Sequence, residues 1–441
     1  MSTIKLKKGF DLKLKGGITS PDKLGGKIVG KICTIVPDDF HGITPRLDKK
    51  EGEHVAAGEA IYHDKVYEAV KITSPISGVV KEVRRGARRK IEAIIIESDG
   101  QDDVVNHDLS APSLEVLLAS GLWPMLRQRP YDVVPNPDER PRDIFVTAFD
   151  SAPLAPSLLK SAQMQYAAKG VEILSKLTDG GVHIGFAKGE TQEISGAKVY
   201  EFDGPHPAGN VGVQIANISP VNKGEIVWTL DIVTLCRIGE LFTTGKVNFT
   251  TLVAITGEQI TEPCYVETVM GCPIKDILNG KLVNNEYENR IISGNVLTGI
   301  KVTEEEWLRA PYRHITVIPE VKNRDEFMGW LSVNPKRFSI YRMFTSWLTG
   351  LNKEVSMDAR MKGGERAIVR LGEYDRMLPM DIYAEFLIKA VIAFDIDKME
   401  QLGIYEVAPE DFALAEYADT SKIELQRIIR EGLDRMRAEM A

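Results

Sequence analysis

Apolar and basic positions alternate at the start of the chain, in Ile4-Lys5-Leu6-Lys7 and again in Leu12-Lys13-Leu14-Lys15. A period of two buries one side of an extended segment and wets the other, which predicts two short half-exposed strands. Gly16-Gly17 and Gly25-Gly26 supply the turns. Residues 32–100 are denser in β signals. Cys33–Val36, Ala60–Tyr62, Gly78–Val83 and Ile91–Glu97 are rich in branched and aromatic residues, and Gly, Pro and Asp punctuate them.

The period lengthens at 108–122. Ser110 is placed to cap a helix, Pro112 falls in its first turn, and Leu114, Leu117 and Leu118 form an apolar face that ends at Gly121. Five prolines between 124 and 141 read as a linker or wrapped loop. Asp143–Ala148 then predicts a buried strand and Pro156–Lys169 a helix, and Val171–Leu177 and Val182–Ala187 continue an α/β pattern to about residue 250. Strands return at Thr251–Ile255, Cys264–Thr268, Arg290–Ile292 and Ile300–Thr303, with a short helix near Pro273–Leu278. Beyond 336 the pattern is helical: Arg337–Leu348, Pro379–Ala393, Asp397–Leu402, Pro409–Tyr417 and Lys422–Met440.

The expected architecture is therefore α+β and multidomain. An N-terminal segment and β module take residues 1–104, an α/β domain 105–250, a second β module 251–335 and a helical domain 336–441. A length of 441 residues exceeds what one core supports. A net charge of −8 argues against nucleic acid as a partner, because such proteins concentrate positive charge to release counterions. No apolar run reaches the roughly 18–20 residues that cross a bilayer. The N-terminus mixes lysines with apolar residues instead of presenting an unbroken apolar stretch, so a cytoplasmic chain is expected.

Cysteines stand at 33, 236, 264 and 272, and no pair has Cys-x-x-Cys spacing. The common zinc, thioredoxin and iron–sulfur patterns are missing, so four reduced, buried thiols and no redox cofactor in this chain are expected.

Three stretches carry a first resemblance. Lys50-Glu51-Gly52-Glu53-His54-Val55-Ala56-Ala57-Gly58-Glu59, then Asp64-Lys65, then Ser74-Pro75-Ile76-Ser77-Gly78-Val79-Val80 resemble the biotinyl/lipoyl-type flattened barrel. That family acylates a lysine at a hairpin tip. Here the spacing from Lys65 to the Pro-x-x-Gly element is about two residues longer, which predicts a barrel used as a structural module.

A second resemblance runs along nearly the whole chain. It is carried by Ile4-Lys5-Leu6-Lys7-Lys8-Gly9-Phe10-Asp11-Leu12, Thr73–Gly78, Arg85-Gly86-Ala87-Arg88-Arg89 and Ser120-Gly121-Leu122-Trp123. Phe202-Asp203-Gly204-Pro205-His206-Pro207-Ala208-Gly209 is its most specific stretch. Arg290–Leu297 and Leu371-Gly372-Glu373-Tyr374-Asp375-Arg376-Met377-Leu378-Pro379 follow. These resemble the A subunit family of the sodium-translocating NADH:quinone reductase.

The resemblance implies a peripheral subunit on the cytoplasmic side of the inner membrane, within a six-subunit complex that oxidises NADH, reduces quinone (ubiquinone among them) and exports sodium. It implies partners among the other subunits, above all the quinone-side membrane subunit, with NAD, flavins and iron–sulfur centres held elsewhere. It also implies kinship with the NADH-oxidising flavoprotein of complex I and with the Rnf complex C subunit. On that kinship the 105–250 domain is expected to be Rossmann-like, and 251–335 a β-grasp module of the soluble-ligand-binding type.

Departures from those relatives matter as much as the likeness. Where flavin-binding relatives have a glycine-rich loop, this chain reads Gly121-Leu122-Trp123-Pro124-Met125-Leu126-Arg127-Gln128-Arg129-Pro130-Tyr131. Bulky side chains and two prolines, each lacking a backbone donor, do not suit a phosphate cradle. No cysteine follows Cys272 to hold a ferredoxin-type cluster.

Trp123, Arg127, Arg129 and Tyr131 remain as quinone-proximal or partner-facing candidates, against the plainer reading of a loop whose arginines pair locally. Phe338, Tyr341, Arg342, Phe344 and Trp347 are interface candidates on one aromatic, basic segment, against burial in their own domain. His206, between two prolines, reads as part of a rigid turn rather than a catalytic group. The basic run Lys81–Lys90 reads as a solvated hairpin, with anionic lipid headgroups as the competing neighbour. A stand-alone flavin-dependent oxidoreductase of complex I-like fold is the rival to the subunit reading.

Overall fold

The computed structural model describes residues 2–20, 22–28, 30–284, 288–321, 338–341 and 354–440. Between 32 and 98 two small antiparallel sheets face each other. One has the order Ile32–Ile35, Ile91–Ser98, Gly78–Arg85, His54–Val55, and the other Pro45–Leu47, Ala60–Asp64, Lys71–Thr73. The alternation predicted for these runs turns Ile35, Val55, Ile61, Ile72, Val80, Ile94 and Ile96 into one shared core.

The α/β region centres on a six-stranded sheet. Its order is Ser2–Lys5, Ala197–Asp203, Val182–Ala187, Asp143–Thr147, Val227–Asp231, Arg127–Arg129. The first four pairings are parallel, and Arg127–Arg129 closes the edge antiparallel to Val227–Asp231. The proline-rich stretch is thus more than a wrapped loop, because it contributes the edge strand. Helices Ala167–Ser175 and Ile232–Thr244 pack together on this sheet. Two glycines permit their close approach: a Cβ on Gly170 would come 2.3 Å from the Leu235 carbonyl oxygen, and one on Gly239 2.0 Å from that of Tyr166.

Several expectations shift. The N-terminal strand forms, but it completes the α/β sheet. The next strand, Leu24–Lys27, extends a different sheet through Cys264–Val269. Leu12–Lys15 is no strand and makes a single bridge, Leu14 to Val355. The helix expected at 108–122 is the shorter Ser113–Ala119, begun by Pro112, while the Ser110 hydroxyl bonds Asp108 instead of capping it. The helix expected over 156–169 is broken. Ser157 caps a short piece, Leu158–Ser161, extended backbone at Ala162 ends it, and Ala167–Ser175 starts afresh.

The third sheet is mixed, ordered Ile300–Val302, Asn289–Ser293, His314–Pro319, Thr250–Thr256, Cys264–Val269, Leu24–Lys27, with the short helix Ile274–Leu278 in its core. The C-terminal helices are Ala384–Ala393, Ile396–Gln401, Ala413–Ala418 and Leu425–Met440. In the last, Leu425, Ile429, Gly432, Leu433 and Met436 are buried, a stripe at helical spacing. These helices share one core with Leu6, Phe202, Ala208 and Val213 of the α/β region. Most of the helix expected over 337–348 lies outside the described residues, and its described part, 338–341, is coil and turn. All four cysteines are buried and unpaired.

Candidate functional site

The segment 121–134 is where barrel, α/β sheet and C-terminal helices meet. Gly121 opens it at φ +77°, and a Cβ there would lie 2.1 Å from the Thr73 hydroxyl of the barrel, so only glycine fits. Trp123 follows with 0 % of its surface exposed. Its ring meets Trp228 edge-on at 5.0 Å, and its indole N–H donates to the Pro135 carbonyl at 3.0 Å. Trp123 is therefore core, not a surface that faces a partner. Leu122 and Leu126 are buried beside it.

The two arginines of the edge strand point to different neighbours. Arg127 is half-buried and donates to the Asp39 carbonyl in the barrel at 2.8 Å. Arg129, 1 % exposed, donates from Nη1 to Asp411 and from Nη2 to Glu410, both at 3.1 Å. Its carboxylate partners are distant in sequence, and it faces the chain's own C-terminal domain rather than solvent. Between the arginines, Gln128 holds Glu139 through its amide N–H at 3.0 Å and accepts the Asn136 N–H at 3.2 Å.

The loop after Arg129 is drawn tight. The Gln128 N–H donates to the Val133 carbonyl at 2.7 Å, and Tyr131 and Asp132 both adopt left-handed backbone, φ +79° and +53°. Their carbonyls accept from the guanidinium of Arg430 on the last helix. Arg430 also pairs with Asp434 at 2.9 Å, which in turn meets His41 of the barrel at 2.8 Å.

Asp411 carries the electrostatics of the seam. It accepts the Ala408 N–H at 2.8 Å and lies against Gly212 in the first turn of helix Val211–Ile218, where a Cβ would come 2.5 Å from its oxygen. Burial pushes both carboxyls up, with repulsion from Asp411 adding at Glu410 and from Asp132 at Asp411, and Arg129 opposes the shift.

Nucleotides bind open α/β sheets outside the carboxyl ends of the strands where strand order reverses. Here that point lies between Asp143–Thr147 and Val227–Asp231. Asp231 caps helix Ile232–Thr244 through the Thr234 N–H at 2.7 Å and is bonded by Arg313 of the third sheet. Burial would raise its carboxyl, but Arg313 and the cap hold it below the usual range.

The Gly204–Gly209 turn packs nearby. His206 is 3 % exposed, and its Nδ1 lies 3.0 Å from the Ser151 hydroxyl, whose oxygen accepts the Gly209 N–H. Burial pulls the imidazole down to about 4, keeping it neutral.

A groove of about 330 Å³ opens beside the tight loop. Asp64 and Tyr67 of the barrel hairpin, Gln128, Tyr131 and Asn136 of the loop, and Arg437 of the last helix line it. Its size falls within the roughly 300–1,000 Å³ of small-molecule sites. Of Trp123, Arg127, Arg129 and Tyr131, it is Tyr131 that borders this groove, and burial raises its hydroxyl. Lys65 is exposed on the adjoining hairpin, where its backbone N–H donates to the Thr44 carbonyl at 2.8 Å.

Phe338 and Tyr341 lie elsewhere. Phe338 stacks on Phe10 at 5.6 Å, Tyr341 sits under the Arg370 guanidinium at 5.2 Å, and both are half-buried within the chain. Arg342, Phe344 and Trp347 lie outside the described residues. Among the described residues no His, Cys, Asp and Glu groups could hold a metal ion, and no helix is long and apolar enough to cross a membrane.

Sequence reasoning missed Asp39, Glu410, Asp411 and Arg430. No local signal marks them, since each acts on a residue far along the chain. In 121–131 Leu122, Trp123 and Leu126 are buried, and Gly121 lies close against Thr73 of the barrel.

Three family models match stretches of the chain. Residues 4–99 match the family described as the NqrA N-terminal barrel-sandwich hybrid domain, residues 111–247 the NqrA second alpha/beta domain, and residues 252–304 the NQRA C-terminal domain. Three relatives each carry the name of the A subunit of the Na(+)-translocating NADH-quinone reductase. That of Yersinia pestis bv. Antiqua (strain Angola) is 33% identical, that of Saccharophagus degradans 34% and that of Photorhabdus laumondii 35%. In each case the match covers 99% of this chain and 100% of the relative.

Proposed function

The chain belongs to the NqrA family, the A subunit of the Na(+)-translocating NADH-quinone reductase, and on that footing we propose that it serves the complex as a cofactor-free frame with a quinone-proximal groove. The observation that carries this reading is the packed seam at 121–131. Trp123 and Arg129 are fully buried there, and the open groove beside the seam adjoins Tyr131. NADH oxidation, flavin and iron–sulfur transfer and sodium translocation then fall to other members of an assembly of six subunits. This chain lies on the cytoplasmic face against the quinone-side membrane subunit.

In finer detail, the parallel sheet with its strand-order reversal supports a Rossmann-like second domain. The mixed sheet around Ile274–Leu278 supports a β-grasp module. The domain limits are placed near 104, 250 and 335, with Ser2–Lys5 and Leu24–Lys27 lent as strands to neighbouring sheets.

A peptide-mapped photo-crosslink with a quinone analogue on the intact complex tests the reading. Label on 128–139 or on the end of the last helix supports a quinone-proximal role, and label confined to other subunits reduces the chain to a scaffold. The rival, a stand-alone flavin oxidoreductase, requires a purified chain with flavin absorbance, and a colourless chain removes it.

A further inference from the structure

The longest hairpin of the barrel, Gly78–Arg85 with Ile91–Ser98, ends in a turn whose charges are unevenly matched. Near its base the cations have partners. Lys81 meets Glu97 at 3.0 Å, Arg84 meets Glu82 at 3.2 Å and lies over the Trp307 ring at 5.3 Å, and Lys90 meets Asp38 at 2.6 Å. At the tip the pairing stops. Arg85 bonds only the Arg89 carbonyl at 3.2 Å, and the guanidiniums of Arg88 and Arg89 have no hydrogen-bond or ion-pair partner among the described residues. All three are exposed.

The backbone of the tip is also unusual. Arg88 and Arg89 occupy left-handed φ, +54° and +60°, one after the other. Such backbone is disfavoured for long side chains, and where it persists it points to a constraint other than folding alone. The turn is closed by Gly86 N–H to the Lys90 carbonyl at 2.9 Å and Lys90 N–H to the Ala87 carbonyl at 3.2 Å. Two acids stand close, against three arginines. Glu92 packs over Gly86, where a Cβ would come 1.8 Å from its oxygen, and Glu51 is taken by the Val83 N–H at 2.7 Å.

We propose that the tip Arg85–Arg89 docks this subunit on the anionic phospholipid headgroups of the membrane. Guanidinium forks match phosphate oxygens. The chain as a whole is acidic, net charge −8, so an anionic surface repels most of it and admits this tip. An acidic protein partner fits less well. The tip projects, carries only Ala87 as an apolar residue, and offers none of the apolar centre around which protein interfaces pack. The proposal rests on the reading of the chain as a peripheral member of a membrane assembly.

The test is co-sedimentation of the full chain with vesicles of equal parts phosphatidylglycerol and phosphatidylcholine, against phosphatidylcholine alone. Binding to the anionic vesicles only, weakened by salt, is expected. Arg85→Gln with Arg88→Gln and Arg89→Gln is expected to lower the partition about a hundredfold, at about fivefold per basic side chain near an anionic surface. Lys398→Gln with Arg427→Gln and Arg435→Gln removes the same charge from exposed helices and is expected to change it little. No binding by the wild type, or an equal loss in both triple variants, overturns the proposal. Co-purification with the reductase complex is scored separately. A wild type that fails to co-purify counts against the subunit reading, whereas one that co-purifies without binding vesicles counts against this inference alone.

Discussion

The guanidinium of Arg129 lies 3.1 Å from the carboxylate of Asp411, a residue 282 positions further along the chain. The contact joins the edge strand of the α/β sheet to the C-terminal helices, and both side chains are withdrawn from water. A buried pair adds little over a well-packed apolar pair, but removing one partner strands the other charge.

Arg129→Met is therefore expected to destabilise the chain by roughly 3–5 kcal/mol, and the double variant with Asp411→Asn by less than either change alone would suggest. Chemical denaturation with a double-mutant cycle measures this. Additive losses would show that the two groups do not act as a pair.

Much of the fold was legible because its elements are local. The runs 33–36, 60–62, 78–83 and 91–97 each announced a strand, since alternation depends only on which side of a pleat is dry. The pattern could not say against what a strand packs. Ser2–Lys5 read as part of the first module and pairs with Ala197–Asp203 instead. The arginines of 121–131 read as surface charges because charged residues are seldom buried unpaired, and their carboxylate partners at 410 and 411 leave no trace nearby. Tyr131 was picked out by residue type, and its groove becomes visible only when hairpin, loop and last helix converge.

Gly121→Ala is expected to lower the melting temperature sharply, because the new methyl group meets the Thr73 hydroxyl and the backbone sits at φ +77°. Thr73→Ser alongside it would relieve little, since the hydroxyl oxygen is the clashing atom. Equal melting temperatures for Gly121→Ala and the wild type would mean that the seam is looser than described.

The buried imidazoles lower stability in acid, against the raised carboxyls of Glu406 and Glu410, which act in the opposite sense. Burial holds His206 near 4 and His314 near 3, against about 6.5 in an unfolded chain. At these two groups the unfolded state takes up protons first, so the His206 contribution to stability is lost as pH falls from about 6.5 toward 4, by roughly 2–4 kcal/mol. Denaturation across that range, with His206→Asn flattening the slope, checks the sign. A His206→Asn variant with the same pH dependence as the wild type would contradict it.

Lys65 should remain unmodified. It follows Asp64, a wall residue of the Tyr131 groove, in a hairpin organised by the Asp64 carboxylate, which accepts the N–H groups of Thr44 and Tyr67 at 2.9 and 3.2 Å. An intact mass of the chain purified from its own cells is expected to match the unacylated polypeptide. Added lipoate or biotin would revive the carrier reading.

Membership in a working sodium-translocating NADH:quinone reductase is put to trial by sodium-stimulated quinone reduction by NADH, measured in membranes from cells lacking this chain. The activity is expected to be lost and to return when the chain is supplied. Undiminished activity in its absence would contradict that membership.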